Sequence, residues 1–512
     1  MSTPVVVAQR PVWQAAAQSF IPLGSRDRAA AVVRHGPLLI ILAVQAIVTL
    51  RLRNSPFQDE ALYLYVGHWQ IDSWLHGGDV YIHPDAFFSG APQLYPVFAA
   101  ALDWVGGLTL VRLFSLACML SCTVAVHWTA NVLFGHRPGP RPGPFAAFVF
   151  ALSASVIFLG NFATFDAPSF TLIAWAAALA AWSGRRNPAL WWSVLIGLMC
   201  SLAVLLKYSS AIDVPFVLTL ILVSGWFNRS RRRRTLLRGV LAGVVTLAVL
   251  GGSVLTWAAP LLAGLRATTT ARVSYTSDVT TATLIQHVLV WDGLPIALML
   301  AGAVVLFRRT PVLAVLLGIG TVAAPAYQIH LGELTSLHKH VVLGLVLGAP
   351  LAGLFLAGLV RARFGVLVVA VALWATFMTG MIQSKSMFST WPNTDALVNE
   401  VAYSIKSMPW IRMVGDIPEP LQYRLDAQTA PWQWTATYEN SFFYHGLSGT
   451  DAYREALRDN YFQLAFLDGG SRIGAELQPE MASFGFKLTS TVKTPYTGHA
   501  WQIWQRFDDI PQ

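Results

Sequence analysis

Pro37-Leu38-Leu39-Ile40-Ile41-Leu42-Ala43-Val44-Gln45-Ala46-Ile47-Val48-Thr49-Leu50, followed closely by Phe57-Gln58-Asp59-Glu60, decides how this chain reads. The first stretch is apolar except for Gln45 and Thr49, and is the natural first span of a many-helix membrane protein. The second puts two adjacent carboxylates at the lip of a bilayer. Carboxylates there are costly to desolvate, so they have a partner or a task.

Composition agrees. The 512 residues are 55% hydrophobic and 12% charged, where a soluble chain carries roughly 25% charge; mean hydropathy is +0.52. Reading apolar runs of roughly 17 to 25 residues as spans places eleven, at about 36–53, 107–134, 144–160, 168–184, 189–206, 210–227, 239–258, 288–307, 311–328, 338–358 and 365–384. With the N-terminus inside, the inner segments hold Arg26, Arg28 and Arg34; Arg137 and Arg141; Arg185 and Arg186; Arg229 with Arg231 to Arg234; Arg308 and Arg309; and Arg361 and Arg363. That asymmetry meets the positive-inside rule, with Arg51 and Arg53 as exceptions. The net charge of +9 is therefore a topology signal, and the Arg231–Arg234 run is a headgroup-binding cluster rather than a nucleic-acid patch.

The expected fold class is mainly α: a polytopic membrane helix bundle with a small extracytoplasmic α/β domain at the C-terminus. Residues 1–35 form a cytoplasmic lead without a signal-cleavage pattern. Residues 36–385 form the membrane domain, with a first outer loop at 54–106 whose Trp, Tyr, His and Asp content suggests amphipathic helices lying at the interface. Residues 386–512 alternate helix-like and strand-like stretches. Eleven spans place that domain outside. Cys118, Cys122 and Cys200 fall within apolar spans, with no metal or disulfide spacing. The setting is a plasma membrane, and the preference for arginine over lysine points to a bacterial one.

Lysine placement is the second clue. Of six lysines, only Lys207 and Lys339 precede residue 385, and both fall at expected outer ends of spans. A topology signal would put them inside, so an anionic partner such as a lipid phosphate, or snorkelling to headgroups, accounts for them. Arg266 and Arg272 in the third outer excursion add bidentate phosphate contacts, and His338 and His340 flank Lys339. Asp59, Glu60 and Asp166 are the acid–base candidates; Asp166, ahead of Ala167-Pro168, also reads as a helix N-cap. Outer carboxylates with outer cations are what glycosyl transfer from a phosphate needs: a base for the acceptor proton and positive charge on the leaving group. No cofactor is required by this scheme. His83, Asp85 and His287 are residue types that hold a divalent ion, but their spacing does not indicate a site.

Phe57-Gln58-Asp59-Glu60-Ala61, Pro92-Gln93-Leu94-Tyr95-Pro96 with Gly106-Gly107 and Arg112-Leu113, Thr164-Phe165-Asp166-Ala167-Pro168 and Leu206-Lys207-Tyr208-Ser209 follow in one order. That order resembles the GT-C class of polyprenyl-phosphate-sugar-dependent glycosyltransferases, which includes protein O-mannosyltransferase and lipid A aminoarabinose transferase relatives. The likeness is clearest over about residues 37–226. The resemblance implies a hexosyl- or pentosyltransferase that inverts the anomeric centre. The donor would be a polyprenyl-phosphate-linked sugar, and the acceptor an envelope glycan, lipid or protein. It aligns Asp59 with the catalytic base, with Glu60 beside it. Asp166 aligns with an acidic residue shaping the acceptor site, and Lys207 with a cation near the donor phosphate. Tyr95 and Tyr208 fall in the loop motifs. Pro92-Gln93 stands where relatives often show Pro-Pro or His-Pro, which bears on acceptor identity. The rival readings are a flippase for lipid-linked sugars, expected to carry ionisable residues at mid-membrane and broken helices in two halves, and a silent scaffold of the same fold.

Overall fold

The computed structural model describes residues 25–78, 88–136, 139–186, 188–225, 232–268, 279–407, 410–439, 441–493 and 500–506. Helices occupy each of the eleven apolar segments. They are α1 (Ser25–Leu50), then, after the outer-loop helix α2 (Gln58–His76), α3 (Tyr95–Phe134), α4 (Pro142–Ala151) with α5 (Ala154–Leu159), α6 (Asp166–Arg186) and α7 (Trp191–Leu206). A 3-10 turn (Tyr208–Ile212) leads into α8 (Val214–Gly225), and α9 (Arg232–Thr256) and α10 (Ala258–Thr268) follow. The membrane part closes with α11 (Thr281–Phe307), α12 (Pro311–His330), α13 (Leu337–Leu359) and α14 (Gly365–Ser389). Among the described residues, seven helical stretches are long and apolar enough to cross a membrane, while His35–Leu50, Pro142–Ala151 and Trp191–Leu206 are apolar but shorter. Many large apolar side chains on these helices face outward, among them Leu247, Leu255, Val304 and Val366, as a lipid-facing surface requires. The protein is a multi-pass membrane protein.

The breaks in the helices have local causes. In α3, Gly107 takes φ 64°, a left-handed value open to glycine, and with Gly106 it kinks the N-terminal end of the helix away from the rest. In α11, Asp292 leaves helical geometry three residues before Pro295. Its buried carboxylate accepts from Ala154 N (2.8 Å), Ser155 N (3.3 Å) and Ser155 Oγ (2.5 Å), so it caps α5 at the point where α4 stops. At the centre stands α13, whose apolar window is 89% buried, against α4, α11 and α12.

In the first loop, α2 buries Tyr63, Leu64, Tyr65, Val66 and Ile71 and is held between α3 and the C-terminal domain. That domain begins with α15 (Asp395–Ser407) and carries a five-stranded sheet ordered β2-β1-β5-β7-β6, with the short strands β3 (Phe443–Tyr444) and β4 (Leu447–Ser448) paired apart from it. Strands β1 (Met413–Gly415), β2 (Trp434–Ala436) and β5 (Leu464–Leu467) run parallel. Strands β7 (Ala500–Gln505) and β6 (Lys487–Lys493) extend the sheet antiparallel. One face packs Leu397, Val401, Met413, Phe466 and Trp501 together, and the other Val414, Tyr453, Leu457 and Leu467. Between β1 and β2 the short helix α16 (Glu419–Arg424) docks against α2.

Candidate active site

Asp59 lies in the first turn of α2, where helix N-termini favour negative charge. Its side chain is 32% exposed and its Oδ2 accepts from Lys339 Nζ at 2.8 Å. That same ammonium stands 3.4 Å from Asp166 Oδ2. Asp166, the first residue of α6, is fully buried; it accepts from Thr164 Oγ1 at 2.6 Å and pairs with Lys207 at 2.6 Å. Asp59, Lys339, Asp166 and Lys207 therefore form one alternating chain of charge drawn from four parts of the sequence. The lysine side chains are only 3–4% exposed. Both cations meet carboxylates of this same chain.

Glu60 sits differently from its neighbour. Its carboxylate is fully buried and held from three directions: Arg112 Nε (2.9 Å) and Nη2 (2.5 Å), Phe57 N (2.9 Å), and Ala163 N (2.7 Å). Arg112 also donates to the carbonyls of Asn54 (2.9 Å) and Ser55 (3.2 Å). Glu60 thereby ties the start of α2 to α3 and to the loop ahead of Asp166, and presents no free oxygen to a substrate. The residue that completes it, Arg112, is legible in sequence as a lone arginine inside a span.

Lys207 opens at its other side on a cavity of about 230 Å3, lined also by Tyr208, Ser209, Leu265, Tyr327 and His340. The segment Ser89–Ala91 is clipped to this wall, with Ala91 N donating to Leu205 O (2.7 Å) and Tyr208 N to Ser89 O (2.8 Å). Gly90 permits that approach, since a Cβ there would meet Leu206 O at 2.0 Å. His340 bonds Ser336 O at 3.0 Å and faces the cavity. His338 turns the other way, its ring between Phe158 (4.9 Å) and Trp291 (6.1 Å). Tyr95 is buried against Tyr63 and Phe165. Arg266 is exposed next to Leu265 of the cavity wall, and Arg272, His83 and Asp85 lie outside the described residues.

Two further side chains come from the C-terminal domain. Gln58, the residue before Asp59, donates to Tyr438 Oη (2.7 Å) and to Glu419 Oε1 (3.3 Å), and Tyr438 Oη lies 2.9 Å from both Glu419 oxygens. Burial raises the Glu419 carboxyl to about 7. Nothing in sequence marked Glu419, because its burial exists only once α16 meets α2. His287, the remaining metal-type residue, lies tilted against Trp291 at 5.1 Å between ring centroids. Among the described residues, the group spaced to hold an ion is His445, Glu455 and Asp459 on the C-terminal domain.

Comparison with protein families and with curated proteins finds no match. Solved structures do match. The archaeal oligosaccharyltransferase AglB from Archaeoglobus fulgidus, in complex with an inhibitory peptide and a dolichol-phosphate, superposes with a TM-score of 0.59 at 13% identity, over 93% of this chain and 75% of that one. ArnT from Cupriavidus metallidurans, bound to undecaprenyl phosphate, gives 0.58 at 15% identity, over 93% of this chain and 100% of that one. The fold is that of the GT-C glycosyltransferases. A second structure of the Archaeoglobus enzyme, with Zn and sulfate, gives 0.56 at 13% identity over 90% of this chain and 73% of that one. At such identities the GT-C likeness extends to the fold of the membrane part together with a small α/β region, and the site must be argued from its own residues.

Proposed function

We propose that this protein is an inverting membrane glycosyltransferase that moves a sugar from a polyprenyl-monophosphate-linked donor to an acceptor hydroxyl on the extracytoplasmic face. The observation that carries the reading is the charge chain from Asp59 to Lys207. It begins at a carboxylate that water reaches and ends at a lysine beside a largely apolar cavity. A water-borne acceptor and a lipid phosphate meet at such a place. The solved structures of the same fold hold dolichol-phosphate or undecaprenyl phosphate, as their descriptions state.

In this mechanism the acceptor oxygen attacks the anomeric carbon while its proton passes to Asp59. The bond from that carbon to the phosphate oxygen breaks, and the phosphate leaves with the electron pair. Lys339 holds the Asp59 carboxylate in place. Lys207 and His340 face the departing phosphate from the cavity wall, with Tyr208 beside them and Arg266 next to Leu265 of that wall; Arg272 is proposed as a further cation for the same phosphate. Asp166 fixes both lysines, and Glu60 with Arg112 fixes the backbone that carries Asp59. The arginine asymmetry puts the N-terminus in the cytoplasm and the α/β domain outside.

A flippase would use buried acids at mid-membrane. Asp292 is a buried acid of α11, but its carboxylate already caps α5. Mass spectrometry of envelope glycans, lipids and proteins from a deletion strain, complemented with wild-type protein or with Asp59→Asn, tests the proposal. Wild-type protein should restore a missing sugar and Asp59→Asn should not. Full restoration by both variants rejects the mechanism.

A further inference from the structure

A second cavity, of about 330 Å3, opens where α2 and the outer end of α3 meet α16. That volume lies in the range of small-molecule sites, roughly 300–1,000 Å3. It has no part in the chemistry described above. We propose that it binds a sugar ring of a neutral oligosaccharide, a part of the acceptor remote from the hydroxyl that reacts. The inference rests on the transferase reading only in calling that sugar an acceptor.

The lining carries the argument. Trp104 gives the cavity an indole that is 60% exposed, with His68 packed on it at 5.4 Å between ring centroids. An exposed aromatic face is a flat apolar platform for the C–H face of a sugar ring. Opposite it are groups suited to paired hydroxyls: the Asp426 carboxylate and the Arg424 guanidinium of the outer domain. Asp103 is held in place by two contacts, His68 Nε2 at 2.7 Å and Tyr423 Oη at 2.7 Å. It therefore joins the loop, α3 and the outer domain in one fixed wall.

Tyr65 completes the wall: it lines the cavity, is 1% exposed, and its ring packs edge-on against Trp69 at 6.3 Å between centroids.

Charge narrows the class. Asp103 and Asp426 outnumber Arg424, which already meets Asp395 at 3.0 Å, so an anionic ligand is disfavoured. Position narrows it further. His68 lies nine residues along α2 from Asp59, about 13 Å at 1.5 Å per residue. A ring bound there is not the one that reacts, and the acceptor must be long enough to span the gap. Binding a remote part of a substrate supplies energy that positions the reacting part. Trp104 stands just outside the Gly106-Gly107 kink of α3, where the helix leaves the outer loop. Both a water-borne glycan and a glycolipid headgroup reach that level.

The test is a fluorescence titration of the full-length protein in detergent with neutral trisaccharides (manno-, galacto-, arabino- and chito-linked). Each is offered free and on a lipid carrier, with choline as a cationic control. At least one trisaccharide should bind, and Trp104→Ala or Asp426→Asn, both at exposed residues, should weaken binding about tenfold or more. Equal affinity for the free and carrier-linked forms assigns a water-borne glycan; preference for the carrier assigns a glycolipid. Binding of choline alone, no binding of any trisaccharide, or unchanged affinity in Trp104→Ala overturns the inference. If sugar binds in this way but the deletion strain lacks no sugar, the binding site stands and the transferase reading falls.

Discussion

Lys339 reaches across 280 residues to place its ammonium 2.8 Å from Asp59 Oδ2, with Asp166 on its other side at 3.4 Å. The exposed carboxylate of the site is thus held by a buried cation that has a second anchor. Asp59→Asn removes the proton acceptor and leaves Lys339 paired through Asp166. Turnover at saturating donor should fall about 10²–10⁴-fold, with an unfolding temperature near wild type. A dead Asp166→Asn beside an active Asp59→Asn would move the base to Asp166.

Glu60 should answer differently. It is fully buried and bidentate to Arg112, and breaking one side of such a pair costs about 3–5 kcal/mol. Glu60→Gln and Arg112→Met should each lower the unfolding temperature and the yield of folded protein. A large loss of turnover at unchanged stability in Glu60→Gln would instead put Glu60 among the reacting groups.

The Lys207–Asp166 pair permits a cycle. Lys207→Met leaves a buried carboxylate with one cation fewer and should destabilise, by the same order of about 3–5 kcal/mol. Adding Asp166→Asn should recover stability, because no unpaired charge remains. Turnover should stay low in the double variant. Thermal unfolding and donor-dependent rates, measured on all four proteins, decide it; recovered turnover in the double variant would leave Lys207 no part in binding the donor phosphate.

These pairs show what the sequence could and could not disclose. The helices were legible because long apolar runs have few alternatives in a membrane protein. Asp59, Asp166, Lys207 and Lys339 stood out because ionisable residues at span ends are rare. Their pairing was not legible: two lysines at an outer face look alike whether they await a lipid phosphate or a carboxylate 280 residues away. Arg112 read as part of a motif and not as the partner of Glu60, since no local spacing links α3 to α2. Glu419, Tyr438 and the Trp104 cavity depend on how two domains meet, which no periodicity encodes.

Glu419 gives a pH signature. Burial raises its carboxyl from 4.5 to about 7, so the folded protein binds a proton that the unfolded chain has already lost between those values. Its contribution to stability is full below 4.5 and is lost as pH rises through about 7. Unfolding temperature should therefore decline from pH 5 to pH 8, and that part of the slope should vanish in Glu419→Gln. An identical slope in the variant would assign the decline to other groups.

The order in which the four charged side chains are synthesised has its own consequence. Asp59 is made first, then Asp166, Lys207 and finally Lys339. The running charge of the set is negative from the first carboxylate onward and returns to zero only when α13 has been made. A nascent chain that stops before Leu337 carries an unbalanced carboxylate with no compensating cation, and such groups are poorly tolerated within a bilayer. In a pulse-chase experiment, a chain ending at Ser336 should be degraded faster than the full-length protein, and the same truncation with Asp166→Asn should survive longer. Completion of the site thereby doubles as a checkpoint on biosynthesis.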